Sequence, residues 1–344
     1  MPSNNRVILA AAGARKTESI IRAIAESGSD RRILITTYTI ENAAQISERI
    51  TRNLGTIPRN VTVKTWFTFL LNDWIKPYQN FLTSTNQVRS LNFKTKPLQY
   101  ARKADIEGYY LDGQSNIFSD NAADFAVTLD QASNGKVLNR LEGIYDEIYI
   151  DEVQDLVGYD LDLLDLLIAS DISLTIVGDP RQSTYTTSNT RKYSDYQRLN
   201  LYDWFKEREA VGQLTIDWRN ESFRCNQEIC DFADDLYPSL PRTTSRNTER
   251  TTHDGIFQIG MKEVHQYMET YEATVLRYKI TTNTLGYPAI NFGQSKGRTY
   301  DRVLIFPTNP MKKYLQTNNL EDAGDIAKFY VAVTRARYSV AFVV

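Results

Sequence analysis

The sequence predicts an α/β protein built on open, mostly parallel sheets. Three observations carry that expectation. Short apolar runs, RVILAA, RRILITTYT, DEIYIDE and DISLTIVGDPRQ, recur through the first half of the chain, and each runs into a polar loop. Segments with helical spacing, ESIIRAIAESG and IENAAQISERI, follow the first two runs. Polar loops at the carboxyl ends of strands are where an open α/β sheet gathers its ligands.

Composition bounds what such a fold can be. The 344 residues suffice for two domains, and 42% hydrophobic content can supply a core. The 40 basic and 42 acidic side chains nearly cancel, which neither demands nor excludes nucleic acid, since a basic groove can sit on a neutral protein. Cys225 and Cys230 cannot form a disulfide framework, which suits a reducing cytoplasm. His253 and His265 leave little for a zinc site. No apolar run approaches membrane-spanning length, and MPSNNRVILAAA is too short for a signal peptide, so no membrane role is expected.

The elements follow in order. RVILAA is a strand, GARKT a loop, and ESIIRAIAESG a helix with a glycine near its end. RRILITTYT and IENAAQISERI repeat the unit, DEIYIDE is a strand ending in acids, and DISLTIVGDPRQ ends in a polar loop. Residues 82–140 break the rhythm: Lys94, Lys96, Arg102 and Lys103 interleave with Phe93, Tyr100, Tyr109 and Tyr110, which reads as an insertion. SLPRTTSRNTERTTHD, residues 239–254, reads as an exposed connection. GIFQIG, a helix near KEVHQYMETYEATVLRYK, then RVLIFP and SVAFVV rebuild a second α/β unit. The expected domains are residues 1–215, with the insertion, and 216–344.

AAAGARKTESI, residues 10–20, approaches the phosphate-loop pattern G-x-x-x-x-G-K-[ST], with Lys16 and Thr17 correctly spaced after a strand and before a helix. A nucleotide hydrolase needs backbone amides and a lysine for the phosphates, a hydroxyl and a carboxylate for Mg²⁺, a base for water, and a cation for the developing charge. Lys16 and Thr17 fit the first needs. Asp151 would hold Mg²⁺ with Thr17, Glu152 would activate water, and Gln182, after Asp179 in GDPRQ, would sense the γ-phosphate.

DEVQD at 151–155 and GDPRQSTY at 178–185 resemble motifs II and III of the UvrD/Rep-like superfamily 1 DNA helicases. LITTYTIENAA (34–44) resembles motif Ia, VKTWFTF (63–69) motif Ib, SFRCNQEICDFAD (222–234) motif IV, GQSKGRTYDRV (293–303) motif V, and FYVAVTRAR (329–337) motif VI. The motifs run in family order from residue 10 to 337. The resemblance implies two RecA-like parallel-sheet domains with ATP in the cleft between them, a modest insertion in the first, and an accessory insertion of the second domain that is absent or vestigial. It implies ATP and Mg²⁺ as cofactors. It assigns ATP binding to Ala12, Gly13, Ala14, Arg15, Lys16, Thr17, Ser19, Phe223 and Gly297, with Phe223 stacking on adenine. Arg224 and Arg335 become the cations that reach the γ-phosphate, acting with Glu152 and Gln182. Thr37, Tyr38, Lys64, Thr65, Tyr185 and Ser295 become nucleic-acid contacts. Trp66 and Phe67 sit in an apolar run and read as packing rather than stacking.

The departures are specific. Arg15 stands where the loop pattern wants glycine, and Ala10 stands at the other glycine position. The Arg15 guanidinium either adds charge beside the phosphates or points away, with nucleotide binding kept and the rate altered, or hydrolysis lost. Gly293 and Thr299 stand where the family often has histidine and glutamate. Two functions follow from the resemblance. One is an ATP-driven helicase or translocase on single-stranded DNA, moving 3′ to 5′. The other is a nucleic-acid-responsive ATPase subunit, similar to the helicase-like component of Gabija-type anti-phage systems, working in a hetero-oligomer with an OLD-family nuclease. A nuclease within this chain is disfavoured, since no nuclease motif remains once the helicase motifs are assigned.

Overall fold

The computed structural model describes residues 4–83, 87–97 and 100–344. The chain forms two compact units. The first holds the described residues of Met1–Leu9, Thr17–Pro180 and Tyr185–Asp217; the second holds Ala10–Lys16, Arg181–Thr184 and Trp218–Val344.

The chain order begins β1 (Arg6–Ala10), α1 (Lys16–Glu26), β2 (Ile33–Thr37), α2 (Ile40–Leu54), β3 (Val61–Thr65) and α3 (Trp66–Phe69), the last running into a π-helical turn, Leu70–Ile75. A small pair of strands, β4 (Leu91–Asn92) and β5 (Ile117–Phe118), brackets α4 (Ile106–Tyr110). Then come α5 (Ala122–Ala132), α6 (Lys136–Glu142), β6 (Glu147–Ile150), α7 (Tyr159–Ile168), β7 (Ser173–Gly178), α8 (Leu201–Ala210) and β8 (Thr215–Arg219). Among the described residues six strands form one sheet in the order β3-β2-β6-β7-β1-β8, and the pairings from β3 through β1 are all parallel.

The alternating β and α segments account for this topology. β2 (ILITT) is buried along its whole length, as a parallel strand covered on both faces must be. α2 is delimited by its own caps. Thr39 Oγ1 accepts the Asn42 N–H, and Gly55, at φ 79°, takes the left-handed conformation that closes the helix with its N–H on Thr51 O. Of the segment expected as an insertion, residues 84–86 and 98–99 lie outside the described residues. Its last third is core: Ala122, Phe125, Ala126 and Leu129 of α5 are buried, and Trp74 Nε1 donates to Ala126 O at 3.1 Å. The polar appearance of residues 82–140 as a whole hid the apolar run ADFAVTL.

The second unit continues with β9 (Glu221–Ser222), α9 (Gln227–Asp235), β10 (Thr244–Ser245), β11 (Gly255–Ile259), α10 (Val264–Tyr271), β12 (Thr274–Arg277), β13 (Ala289–Asn291), β14 (Tyr300–Phe306), α11 (Asn309–Thr317), α12 (Ile326–Val333) and β15 (Ala336–Val343). Among the described residues its five-stranded sheet runs β11-β15-β14-β12-β13, with every pairing parallel. Val264, Val275, Leu304, Phe306, Ala341 and Val343 share one core cluster there. KEVHQYMETYEATVLRYK divides into two elements: the helix stops at Tyr271 because Glu272 turns left-handed, and TVLR becomes β12 between β13 and β14. The 239–254 connection is also partly structured, since β10 pairs with β9.

Candidate active-site residues

In the second unit, backbone and side-chain hydrogen bonds pin the loop Ala10–Lys16. Ala11 N–H donates to Arg219 O at 3.0 Å, Ala12 N–H to Tyr330 Oη at 3.2 Å, and Phe223 N–H to Gly13 O at 3.0 Å. Ser222 Oγ donates to Ala12 O at 2.8 Å. Ala12 and Ala14 are buried. Gly13, at φ +81°, passes so close to the motif IV segment that a Cβ there would lie 2.6 Å from Ser222 Oγ and 2.7 Å from Arg224 Cβ. Lys16 Nζ donates to Ala10 O at 3.2 Å, so its side chain curls back over its own loop.

Arg15 has two particular features in the structure. Its backbone is left-handed, at φ 55°, the conformation in which a glycine is normally found. Its guanidinium carbon sits 3.9 Å from the centroid of the Phe223 ring. Phe223 itself is 39% exposed.

The motif VI arginine is held from several sides. Arg335 is fully buried; Nε donates to Val331 O at 2.9 Å, Nη1 to Arg298 O at 3.3 Å, and Nη2 to Gln182 Oε1 at 3.3 Å. Arg224 Nη1 donates to Thr334 O at 3.1 Å, which ties motif IV to the same turn. Gly297, at φ 82°, lies one residue before the Arg298 carbonyl that Arg335 uses. Gln182 is held by its neighbour: Arg181 is fully buried, donates to Pro241 O at 2.6 Å, and accepts at its carbonyl from Tyr237 Oη at 3.0 Å. Ser295 is also fully buried, and its Oγ donates to Phe292 O at 2.7 Å. Its hydroxyl thus lies below the surface with a backbone acceptor. Cys225 and Cys230 are free and buried.

In the first unit, Thr17 and Ser19 lie half-buried on the first turn of α1. Asp151 follows β6, buried, with its N–H on Thr36 O at 2.8 Å. Glu152 adopts φ 60°, a left-handed non-glycine backbone, and its N–H donates to Asp151 Oδ1 at 3.0 Å. Such conformations persist where the surroundings over-determine them, and they cluster at functional sites. Gln154 supplies part of that constraint, donating to the Glu152 carboxylate while its Oε1 accepts the Asp179 N–H at 3.1 Å. Gly178 packs closely beside it, since a Cβ there would lie 2.6 Å from Gln154 Oε1 and 2.8 Å from Val153 Cγ1. Motifs II and III are thus locked through one glutamine side chain.

Among the described residues no group of three or more His, Cys, Asp or Glu side chains could cage a metal ion. The donors suit Mg²⁺ nonetheless: a hydroxyl, Thr17, and a buried carboxylate, Asp151, are hard oxygen ligands of the kind that Mg²⁺ takes in ones and twos beside substrate phosphates.

The expected nucleic-acid residues divide into an exposed set and a buried set. Tyr185, Tyr38, Phe67 and Phe93 form a chain of rings, with successive centroids 6.1, 6.0 and 5.1 Å apart. Its ends are open to solvent: Tyr185 is 36% and Phe93 63% exposed. Tyr38 Oη donates to Thr186 O at 3.2 Å. Phe93 was visible in the sequence only as one aromatic among the lysines of the insertion. Trp66 is buried, as expected of packing, with Nε1 donating to Asp160 Oδ1 at 2.7 Å.

Lys64 donates to Asp73 at 2.6 Å and Tyr145 Oη at 3.2 Å. Burial opposes its charge, but those two partners outweigh it and raise the ammonium's pKa above the ordinary value. Thr65 caps α3, accepting the Thr68 N–H. Thr37 is buried at the end of β2.

Comparison with known proteins agrees with this architecture. Residues 1–188 match the AAA domain, and residues 120–344 match the viral superfamily 1 RNA helicase core domain. No curated protein matches the sequence. Among solved structures, the crystal structure of arterivirus nonstructural protein 10 (helicase) aligns with a TM-score of 0.50 at 12% identity, over 99% of this chain and 59% of that one. The complex of arterivirus nonstructural protein 10 (helicase) with DNA aligns at 0.50 and 11%, over 99% and 61%. The chain therefore spans about three-fifths of the length of these structures. At such identity the likeness shows the fold, α/β with parallel sheets of RecA-like kind. The specific UvrD/Rep-like kinship expected from the motifs is narrower than these matches. On the two sequence matches, each covering more than half of its length, the chain belongs to the superfamily 1 helicases, in the family of the viral RNA helicase core domain.

Proposed function

We propose that the protein is an ATP hydrolase of UvrD-like type that uses ATP and Mg²⁺ to move along single-stranded DNA, 3′ to 5′. The observation that carries the reading is the pair Arg335–Gln182, in which the motif VI arginine is hydrogen-bonded to the motif III glutamine. A glutamine that orients water and an arginine that neutralises developing charge are both parts of phosphoryl-transfer sites, and here the two are in contact. In this reading Lys16 binds phosphate oxygens, Thr17 and Asp151 hold Mg²⁺, and Phe223 carries the base. Held by Thr17 and Asp151, Mg²⁺ would supply neutralisation of phosphate charge. Glu152 takes the proton of the attacking water, and Arg224 and Arg335 stabilise the charge that develops. Tyr38 and Tyr185 stack on bases of the strand, while Lys64 and Thr65 hold the element beneath them. The DNA-bound arterivirus structure and the RNA helicase family name both support a nucleic-acid track.

The test is ATP hydrolysis by the purified protein with single-stranded DNA, with single-stranded RNA of the same sequence, and with neither. Stimulation by DNA that is lost in Lys16→Ala supports the reading; stimulation by RNA alone reassigns the track. One observation favours a second reading. In the second unit only residues 278–288 separate β12 from β13, a connection too short to hold a further domain. A short connection at that place suits an ATPase subunit that controls a partner nuclease in anti-phage defence. Light scattering of the chain co-expressed with its native neighbours separates a hetero-oligomer from a monomer that displaces strands alone.

A further inference from the structure

Asp160 carries an inference beyond the roles above, and it rests on the reading of Tyr38 and Tyr185 as stacking platforms for the strand. Its carboxyl is buried in the first turn of α7, and the two oxygens face different segments of the first unit. Oδ1 accepts Trp66 Nε1–H at 2.7 Å, from the first residue of α3. Oδ2 accepts the Thr187 hydroxyl and, at 3.2 Å, the Val157 N–H. Thr187 is held by its backbone as well, its N–H donating to Asp155 O at 3.0 Å.

Each segment held in this way carries part of the ring chain. Phe67 is the residue after Trp66, and Tyr185 lies two residues before Thr187. Tyr38 stands between those two rings, with centroids 6.0 and 6.1 Å away, and its hydroxyl donates to Thr186 O at 3.2 Å. One buried carboxyl therefore ties the backbone that carries one end of the Phe67–Tyr38–Tyr185 row to the backbone that carries the other. Burying a carboxyl costs free energy that an apolar side chain would not. What it supplies in return is two acceptors at a fixed separation, which no apolar side chain offers.

We propose that Asp160 is a positioning residue for the nucleic-acid track: through Trp66 and Thr187 it sets the spacing of Phe67 and Tyr185 around Tyr38 before the strand arrives. The rings are then ordered on folding, and the entropy of ordering them is not lost again on binding, which raises affinity without any contact from Asp160 to the strand. The role is one of geometry. An amide in its place offers an oxygen to Trp66 Nε1 and an N–H to the Thr187 hydroxyl, and so keeps the tie.

The experiment is anisotropy titration of the full chain against a labelled single-stranded oligonucleotide, DNA or RNA according to which the wild type binds. The variants are Asp160→Ala, Asp160→Asn, Trp66→Phe, Thr187→Val, the double variant Trp66→Phe/Thr187→Val, and Tyr38→Ala. The midpoint reads affinity and the stoichiometry reads the folded fraction, so a variant that is only destabilised loses the second and keeps the first. Asp160→Ala, Trp66→Phe and Thr187→Val should each weaken binding by about 5- to 30-fold, the size of one or two lost hydrogen bonds. Asp160→Asn should stay within about threefold of the wild type. The double variant should be little weaker than its weaker parent, because breaking one arm already releases the tie. If Asp160→Ala does not fold, the two single-arm variants carry the test. Unchanged affinity in the single-arm variants, with or without lost stoichiometry, would leave Asp160 a fold-stabilising group and overturn the proposal. Fully additive losses in the double variant would overturn it too, since the arms would then act separately, as would an Asp160→Asn no better than Asp160→Ala. Tyr38→Ala keeps the two levels distinct. Wild-type binding by that variant means that the track reading itself fails, whereas a loss there with none in the single-arm variants removes only Asp160.

Discussion

Arg335 Nη2 lies 3.3 Å from Gln182 Oε1, and the same guanidinium reaches the carbonyls of Val331 and Arg298. A planar fork reaches these separated acceptors from three different nitrogens, whereas an ammonium donates from a single point. Arg335→Lys is therefore expected to keep ATP affinity within a few-fold while lowering the hydrolysis rate by about a thousandfold or more, the scale of arginine-finger losses. Single-turnover hydrolysis beside equilibrium ATP binding checks this. A variant that hydrolyses normally would reduce Arg335 to a structural cation.

Gly13 meets the motif IV segment more closely than any side chain permits. With Ser222 Oγ 2.6 Å and Arg224 Cβ 2.7 Å from the site of its missing Cβ, and φ at +81°, Gly13→Ala must displace either the loop or Ser222–Arg224. Strain of this kind costs on the order of 1–3 kcal/mol. The expected outcome is a lower thermal midpoint together with ATP affinity reduced at least tenfold. Thermal melts with and without ATP measure both, and a variant with wild-type melting and binding would contradict the close packing.

Tyr38 sits between Tyr185 and Phe67 in the ring chain and is half-buried, so it is supported from both sides. Base–aromatic stacking contributes about 1–3 kcal/mol per base. Tyr38→Ala should then weaken single-strand binding by roughly 5- to 150-fold and lower DNA-stimulated hydrolysis, with unstimulated ATP affinity unchanged. Fluorescence anisotropy of a labelled oligonucleotide decides it; unchanged affinity removes Tyr38 from the track.

Much of this was legible in the sequence, and the reasons differ by residue. RVILA and ILITT were readable as strands because parallel strands covered on both faces are continuous apolar runs. TVLR was hidden because no turn signal separates it from the helix before it; only pairing on both sides makes it a strand. The places of Lys16, Asp151 and Arg335 at strand and helix ends were readable from the apolar runs beside them, while their chemical roles rest on the resemblance. The Arg15–Phe223 stack was not, since nothing local in either residue announces a partner about 200 positions away. The same holds for Asp160, whose partners Trp66 and Thr187 are 94 and 27 residues distant.

Asp160 carries the pH prediction. It is buried, and it accepts from Trp66 Nε1 at 2.7 Å, from the Val157 N–H at 3.2 Å, and from the Thr187 hydroxyl. Burial pushes its carboxyl up to about 6, against those three hydrogen bonds, which favour the anion. An unfolded aspartate titrates near ~3.9. Between the two values the folded chain retains a proton that the unfolded chain has released. The contribution of this group to stability is thus complete below about pH 4, falls as pH rises towards 6, and is level above that. The span corresponds to on the order of 3 kcal/mol. Asp160→Asn keeps a carbonyl acceptor but cannot ionise, so it should remove the slope. Urea midpoints of the wild type and Asp160→Asn from pH 4 to pH 7 provide the measurement, because taking their difference cancels every other titrating group. The wild type should lose stability relative to the variant between pH 4 and 6. Parallel curves would mean that the three donors hold Asp160 ionised throughout, and that the tie from Trp66 to Thr187 is a charged one.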